Sequence, residues 1–494
     1  MPVISAHFLV FFSILFGLYW AMSRAGYRLQ NLVLLLAGYF FYGYWSFAFL
    51  LLLVSVSVCN FFLAILIDNS SGRSKRKLHL LTGLILNIGN LAIFKYFDFF
   101  SVELADLFNS FGIELGRVTL TLVVPLGISF YTFLAISYLV DVYRKKTEAG
   151  KDPVSVLLAL SFFPIIISGP IHRPGWLLPQ IVRAREFNDG EMASGLRQIL
   201  WGLVTKLVIA DNLAPVVNEI FTHPEGKNGA LLLMGVLFFA VQVYADFSGY
   251  SDIAIGISRL LGFQVIRNFA YPYFAGDIAE FWKRWHISLT TWFRDYLYIP
   301  VAYFVSNRLK KEKYLGVKTE YLIYAIGLTV TWFITGLWHG ASFTFIAWGV
   351  IHGVFLFLFQ VYKKPRKRLA HLLEIKPDHL AFRVPEYLLT MFVVLFSYIF
   401  FRADSMTDAI AVLRQLPDFS GKVLMQFLGR EFILITLVVI FFMSEWNGRA
   451  GAFTLDRVCF ILPRPIRWSI YLVLICIIVI FAPASSSGFL YFKF

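Results

Sequence analysis

The sequence predicts an all-α, polytopic membrane protein, and three observations predict it. Apolar runs near 20 residues long recur almost end to end, only 15% of the 494 residues are charged, and the basic residues gather in short loops between the runs. A helix needs about 20 apolar residues to cross the hydrocarbon core, and soluble domains carry about 25% charged residues. Aromatic residues make up 18%, with 53 Phe and 24 Tyr, which suits apolar interiors and membrane interfaces. The net charge of +14 does not mark a nucleic-acid binder, because it sits in topogenic loops and not on a hydrophilic surface. The chain reads as one integral domain spanning residues 1–494.

Taken in order, the candidate spans are residues 4–22, 29–45, 47–67, 78–97, 119–141, 196–218, 230–262, 320–337, 341–361, 384–402, 431–444 and 467–483. The first lacks a basic leader and runs into further spans, so it is expected as a retained helix. Arg24 and Arg28 follow the first span, the run Arg73-Ser74-Lys75-Arg76-Lys77 the third, and Arg144, Lys145 and Lys146 the fifth. The loop after the fourth carries Glu103, Asp106 and Glu114 instead. This alternation predicts an extracytoplasmic N-terminus. The later basic loops, Arg308 to Lys313 and Lys363 to Arg368, keep the same parity. Twelve spans return the C-terminus to the outside.

Two apolar stretches do not fit as spans. Residues 154–168 are short and end in Gly169-Pro170, which predicts a re-entrant segment buried by protein. Residues 277–300 mix Trp282, Trp285 and Trp292 with Lys283, Arg284, His286 and Arg294, which predicts an amphipathic helix at the cytoplasmic interface. The three cysteines, Cys59, Cys459 and Cys476, form no metal-binding or redox spacing and are expected as buried thiols. No HExxH, P-loop, GxGxxG or GxSxG pattern is present, so no metal site is predicted.

Candidate chemistry gathers in three places. His339 lies in Thr335-Gly336-Leu337-Trp338-His339-Gly340, at the end of one span. An ionisable group at membrane depth is costly and faces protein or water. Imidazole also suits general-base work near neutral pH. His286 lies in Glu280-Phe281-Trp282-Lys283-Arg284-Trp285-His286, where local cations could attract the phosphates of an acyl donor. An interfacial anchor would explain the same residues. Gln242, Tyr244, Asp246 and Asp252 occupy one apolar span, where the carboxylates must line a polar passage or pair internally. His172 follows Gly169-Pro170, and His352 sits inside a span and reads as structural. A proton-coupled transporter could use Asp246, Asp252 and His339, but no inverted halves are visible.

The segments Phe281–Leu289, Gly336–Gly340 and Tyr244–Asp252 together resemble the membrane-bound O-acyltransferase family. Pro125–Phe133, Phe163-Pro164 and Gly169-Pro170-Ile171 extend the resemblance over most of the chain. It is nearest the bacterial branch that modifies exported polysaccharides such as alginate, or teichoic acids. The C-terminal Phe489-Leu490-Tyr491-Phe492-Lys493-Phe494 favours the acetylating type over a D-alanyl transferase. The resemblance implies a helical ring around a thin centre, with a cytoplasmic donor entry and an external funnel. It implies His339 as the essential histidine, His286 as the second active-site position, and acetyl-CoA as donor. Lys283, Arg284 and Trp282 are then expected to bind that donor. Gln242, Tyr244, Asp246, Asp252 and Trp338 are expected along the passage. Tyr491 is expected to carry the acyl group. The implied partners are membrane lipid, extracytoplasmic acetyltransferases and a polysaccharide acceptor, in a bacterial inner membrane.

Overall fold

The structure, a computed structural model, describes residues 2–167, 169–376, 379–483, 488 and 490. Among these, helices dominate, and the one sheet is a two-stranded hairpin, Lys313–Tyr314 with Val317–Lys318. Its turn, Leu315-Gly316, takes φ of +48° and +80°, the geometry of a tight hairpin turn. The chain packs as two compact units. The first holds residues 1–199 and 253–266, and the second holds 200–252 and 267–494.

In the first unit, α1 (Ala6–Ala21), α2 (Tyr27–Gly43) and α3 (Phe47–Asn69) lead to α4 (Arg73–Leu91). A π turn at Ala92–Tyr96 continues α4 into α5 (Phe97–Ser110), giving 38 helical residues without a break. Residues 113–125 form neither helix nor strand, and Asp98 accepts the backbone N–H groups of Leu120 and Thr121 at 2.7 and 3.2 Å. The expected fifth span is therefore only half helical, and α6 covers Ile128–Tyr143. Gly127 explains the start: its φ is +71°, and a Cβ there would lie 2.4 Å from the Ile166 carbonyl oxygen. Most of α6 is buried all round, as expected for a helix apolar on every face. α7 (Pro153–Leu160) and α8 (Phe163–Ile166) break at Ser161-Phe162, so the expected re-entrant segment begins as two short helices. α9 (Pro174–Ile181) and the first part of α10 (Asp189–Leu203) complete the run. Polar contacts tie the unit together: Asn60 and Asn87 exchange hydrogen bonds at 3.1 and 2.8 Å, and Arg185 donates to Asn31 at 2.8 Å.

The second unit starts at the end of α10, which passes through a π segment (Val204–Ala210) into α11 (Asp211–Phe221). α12 (Gly229–Leu260) follows, its last turns belonging to the first unit. Then come α13 (Ile278–Arg284), α14 (Ile287–Phe293), α15 (Ile299–Ser306), α16 (Thr319–His339), α17 (Phe343–Leu372) and α18 (Leu380–Arg402). The rest is α19 (Met406–Gln415), α20 (Gly421–Arg430), α21 (Phe432–Gly448), α22 (Val458–Ile461) and α23 (Arg464–Phe481).

Each of the twelve expected spans has a helix at its place, but eight described helices are long and apolar enough to cross a membrane, or nine if α20 and α21, bent by 79°, act as one. Two expectations fail. Residues 277–300 are not one interfacial helix: they divide into α13, α14 and a π turn, and Trp282, Trp285 and Trp292 are buried. Their indoles fill a protein core, which a lone amphipathic reading cannot distinguish from a headgroup anchor. Cys59 and Cys476 are exposed free thiols, because they sit on outward faces of spans where lipid replaces protein.

Candidate active site

The chain places His286 at a break. Between α13 and α14 its backbone adopts φ +41° and ψ +53°, a left-handed conformation that costs a non-glycine residue roughly 1–2 kcal/mol. Such strain persists where surrounding contacts enforce it. Here Asn268 does so. Its Oδ1 accepts from the Ser288 backbone N–H at 3.3 Å and from the Ser288 hydroxyl at 2.8 Å, and lies 3.1 Å from His286 Nδ1. Its Nδ2 donates to Ser251 Oγ at 3.0 Å. The Ser288 amide can only donate, so the Asn268 oxygen faces this group. His286 Nδ1 must then carry the proton, which leaves the lone pair on Nε2. Phe247 packs edge-on at 4.5 Å between ring centroids, and His286 is 1% exposed. α13 and α14 are not spans, and burial pushes the imidazole down to about 3. His286 is neutral at physiological pH.

His339 is fixed by packing. It is the last residue of α16, and α17 turns back against that helix. A Cβ on Gly336 would lie 2.4 Å from the Phe345 carbonyl oxygen, and one on Gly349 would lie 2.3 Å from that of Trp332. Only glycine allows this approach. The His339 ring contacts Trp338, Trp348 and Phe401 at centroid distances of 4.9, 4.7 and 5.2 Å. Trp338 also lies 6.1 Å from His286. The two expected histidines thus share one indole as neighbour, and both are buried.

His352 is satisfied on both nitrogens. Trp282 Nε1 donates to its Nδ1 at 3.3 Å, and its Nε2 lies 2.9 Å from Ser397 Oγ, which donates onward to the Val394 carbonyl. That closed chain is structural. His172 belongs to the first unit, where it is 1% exposed and packs edge-on to Trp176 at 6.2 Å. Burial pushes its imidazole down to about 4.

The expected donor-binding trio does not converge. Trp282 is buried against Trp332 at 4.5 Å, Lys283 is exposed, and Arg284 pairs with Glu280 one turn earlier. The expected passage also divides. Gln242 and Tyr244 are buried, and Tyr244 donates to Glu445 at 2.5 Å. Asp246 pairs internally: Lys206 Nζ lies 2.5 Å from its Oδ1 and 2.6 Å from Asp211 Oδ1, with all three residues buried. The Leu490 N–H donates to Asp246 Oδ2 at 2.9 Å. Asp252 is half-buried. Tyr491 lies outside the described residues. Sequence reasoning missed Asn268, Ser288, Lys206, Asp211 and Glu445. Lys206 and Asp211, two opposite charges five positions apart in an apolar span, gave a signal that could have been read. Asn268 gave none.

The family model for membrane-bound O-acyltransferases matches residues 36–391. The chain belongs to the membrane-bound O-acyltransferase family. It is an acyltransferase, built on a multi-pass helical fold. It is 39% identical over 348 residues to the probable alginate O-acetylase AlgI of Azotobacter vinelandii, covering 70% of this chain and 66% of that protein. The counterpart from Pseudomonas aeruginosa is 35% identical over 401 residues, covering 81% of this chain and 71% of the relative. The peptidoglycan O-acetyltransferase of Helicobacter pylori is 33% identical over 417 residues, covering 79% and 74%. The chain thus spans about two thirds to three quarters of the length of these acyltransferases.

Proposed function

We propose that this acyltransferase takes an acetyl group from a cytoplasmic thioester donor, acetyl-CoA, and delivers it across the membrane for O-acetylation of an exported polysaccharide such as alginate. One observation carries the reading: two buried imidazoles that share Trp338, one held by packing and one by hydrogen bonds. The names of the relatives, alginate and peptidoglycan O-acetylating proteins, support the acceptor class. N- and C-termini outside the cytoplasm, and soluble extracytoplasmic partners that complete the transfer, belong to the same proposal.

His339 acts as general base. A hydroxyl group attacks an acyl carbonyl slowly until its proton is removed, and a positioned base contributes about 10²–10⁴-fold. His286 offers a lone pair at Nε2 and no proton, so it accepts a hydrogen bond from the donor or acceptor. A role in stabilising the oxyanion would need a donor there, and neutral His286 with Nδ1–H committed to Asn268 is not one. Trp338 neighbours both rings. Tyr491 is the proposed carrier. Its hydroxyl attacks the thioester carbonyl, the thiol leaves with the proton, and the acceptor hydroxyl later attacks the tyrosyl ester and returns a proton to the phenol.

The test is transfer of radiolabelled acetyl groups by the purified protein. His339→Ala is expected to lower the rate by about 10²–10⁴-fold with the fold intact. Wild-type turnover in that variant would sink the reading. Tyr491→Phe is expected to keep the fold and abolish acetylation of the acceptor. Full activity there ends the carrier role alone.

A further inference from the structure

A buried charge cluster ties α11 to α12, and the acyl-transfer chemistry above makes no use of it. Lys206 lies in the π segment between α10 and α11, and π segments recur at functional sites. Its Nζ reaches Asp211 Oδ1 at 2.6 Å and Asp246 Oδ1 at 2.5 Å, and lies 5.3 Å from the centre of the Tyr250 ring. Gly249 on α12 brings the helices together. A Cβ there would lie 2.8 Å from the Gly202 carbonyl oxygen and 3.0 Å from the Lys206 backbone nitrogen, an approach that glycine permits. Lys206, Asp211 and Asp246 are all buried, in helices long and apolar enough to cross a membrane. One ammonium against two carboxylates leaves an excess of negative charge. Membrane depth penalises that excess unless a further donor meets it.

The chain itself supplies the donor. The Leu490 N–H donates to Asp246 Oδ2 at 2.9 Å, across 244 positions of sequence. Asp246 thus has each oxygen engaged, Oδ1 by the ammonium and Oδ2 by the C-terminal segment. Leu490 is itself buried. A second tie lies beside the cluster. Asn212, next to Asp211, donates through Nδ2 to the carbonyl oxygen of Phe481, the last residue of α23, at 2.9 Å. The same nitrogen lies 3.0 and 2.9 Å from the Leu207 and Val208 carbonyl oxygens, inside the π segment. Two ties, at Phe481 and at Leu490, therefore fasten the end of the chain to one patch of the second unit.

We infer that the Lys206–Asp211–Asp246 cluster is the anchor of the C-terminal segment, and that Asp246 is a positioning residue for acyl transfer. It grips the backbone at residue 490, one position before the proposed carrier Tyr491. A bond to a backbone N–H reads the path of the chain and not its side chains, so it holds the segment without occupying the tyrosine. Lys206, braced by Asp211, holds the Asp246 carboxylate so that Oδ2 faces the segment. Fastening a reacting group turns an encounter into an intramolecular step. The purpose of the anchor rests on the carrier role proposed for Tyr491, whereas the anchor itself stands on the distances.

The test reads the amide and the chemistry separately, on the full-length protein in nanodiscs. Exchange of the Leu490 amide hydrogen is followed by mass spectrometry. Loading is read as the alkali-labile label that the protein retains from radiolabelled acetyl-CoA. The wild-type amide is expected to exchange about tenfold more slowly, or slower still, than the same amide in a free peptide. Asp246→Asn, which removes the charge, is expected to restore most of that rate. Leu490→Pro deletes the N–H and leaves the cluster intact. It is expected to lower loading by about 10²-fold at saturating donor, with the KM for acetyl-CoA and the thermal midpoint of wild type. Leu490→Ala keeps the N–H and is expected to load about tenfold faster than Leu490→Pro, or better. An unprotected amide in wild type, or unchanged exchange in Asp246→Asn, would overturn the anchor. Wild-type loading in Leu490→Pro, or a loss of loading matched by a fall in the midpoint, would overturn the positioning role. Full acetylation by Tyr491→Phe would end the carrier reading and the positioning role with it, and would leave the anchor to the exchange result.

Discussion

The two proposed active-site histidines are held by different contacts. His339 ends a regular helix and is positioned by shape, since α16 and α17 meet through glycines and aromatic rings close around the imidazole. His286 sits on a strained kink and is positioned by directed bonds through Asn268 and Ser288. Hydrogen bonding to Asn268 fixes the tautomer of His286 as well as its place.

Perturbing each mode separately should give different failures. The largest effect is expected from Gly336→Val, because a Cβ already lies 2.4 Å from a backbone oxygen that cannot swing aside. Overpacking of this kind costs roughly 1–3 kcal/mol or more. It should lower the thermal midpoint and abolish acyl transfer together, and a variant that keeps wild-type activity would show that the helix pair does not fix His339. Next comes Asn268→Ala, which frees the His286 ring. Misplacing a reacting group costs up to about 10²-fold, so kcat should fall with KM little changed, and Asn268→Asp, which retains the acceptor, should recover part of it. Equal losses in the two variants would sink the tautomer assignment.

The smallest effect is in pH dependence. Folded His286 is held at about 3 against an ordinary 6.5. Its neutral form is favoured in the native state, so its contribution to stability is complete above 6.5 and is lost as pH falls toward 3. Between pH 6 and 8 it should add no limb to the activity profile. A limb near 6.5 that disappears in His286→Asn, a residue that tolerates the left-handed backbone, would contradict this.

Much of the fold was legible because lipid imposes a simple rule. Long apolar runs and basic loops marked a helix at every expected span, and Gly336 announced the close approach of α17. His286 and His339 stand out in the sequence as imidazoles in glycine- or cation-rich settings, and both are buried. Other features depended on contacts distant in sequence. Trp282 and Trp285 looked interfacial because a core tryptophan and a headgroup tryptophan have the same local pattern. Asn268 lies 18 positions from His286, in a segment with no periodicity to betray it. For Asp246 the sequence leaves a polar passage and an internal pair both open, because its partner Lys206 lies 40 positions away.

The unbroken helix from Arg73 to Ser110 has a consequence for the bilayer. Its 38 residues extend about 57 Å, against a hydrocarbon slab near 30 Å. A helix nearly twice the slab's thickness must lean, bend at its π turn or stand clear of the slab, and its C-terminal end still presents exposed Phe100, Leu104 and Leu107. Hydrophobic mismatch of this sort draws lipid up around the protruding turns. Thin bilayers should therefore strain this corner of the protein first, and membrane thickness becomes a variable to which the enzyme is mechanically exposed.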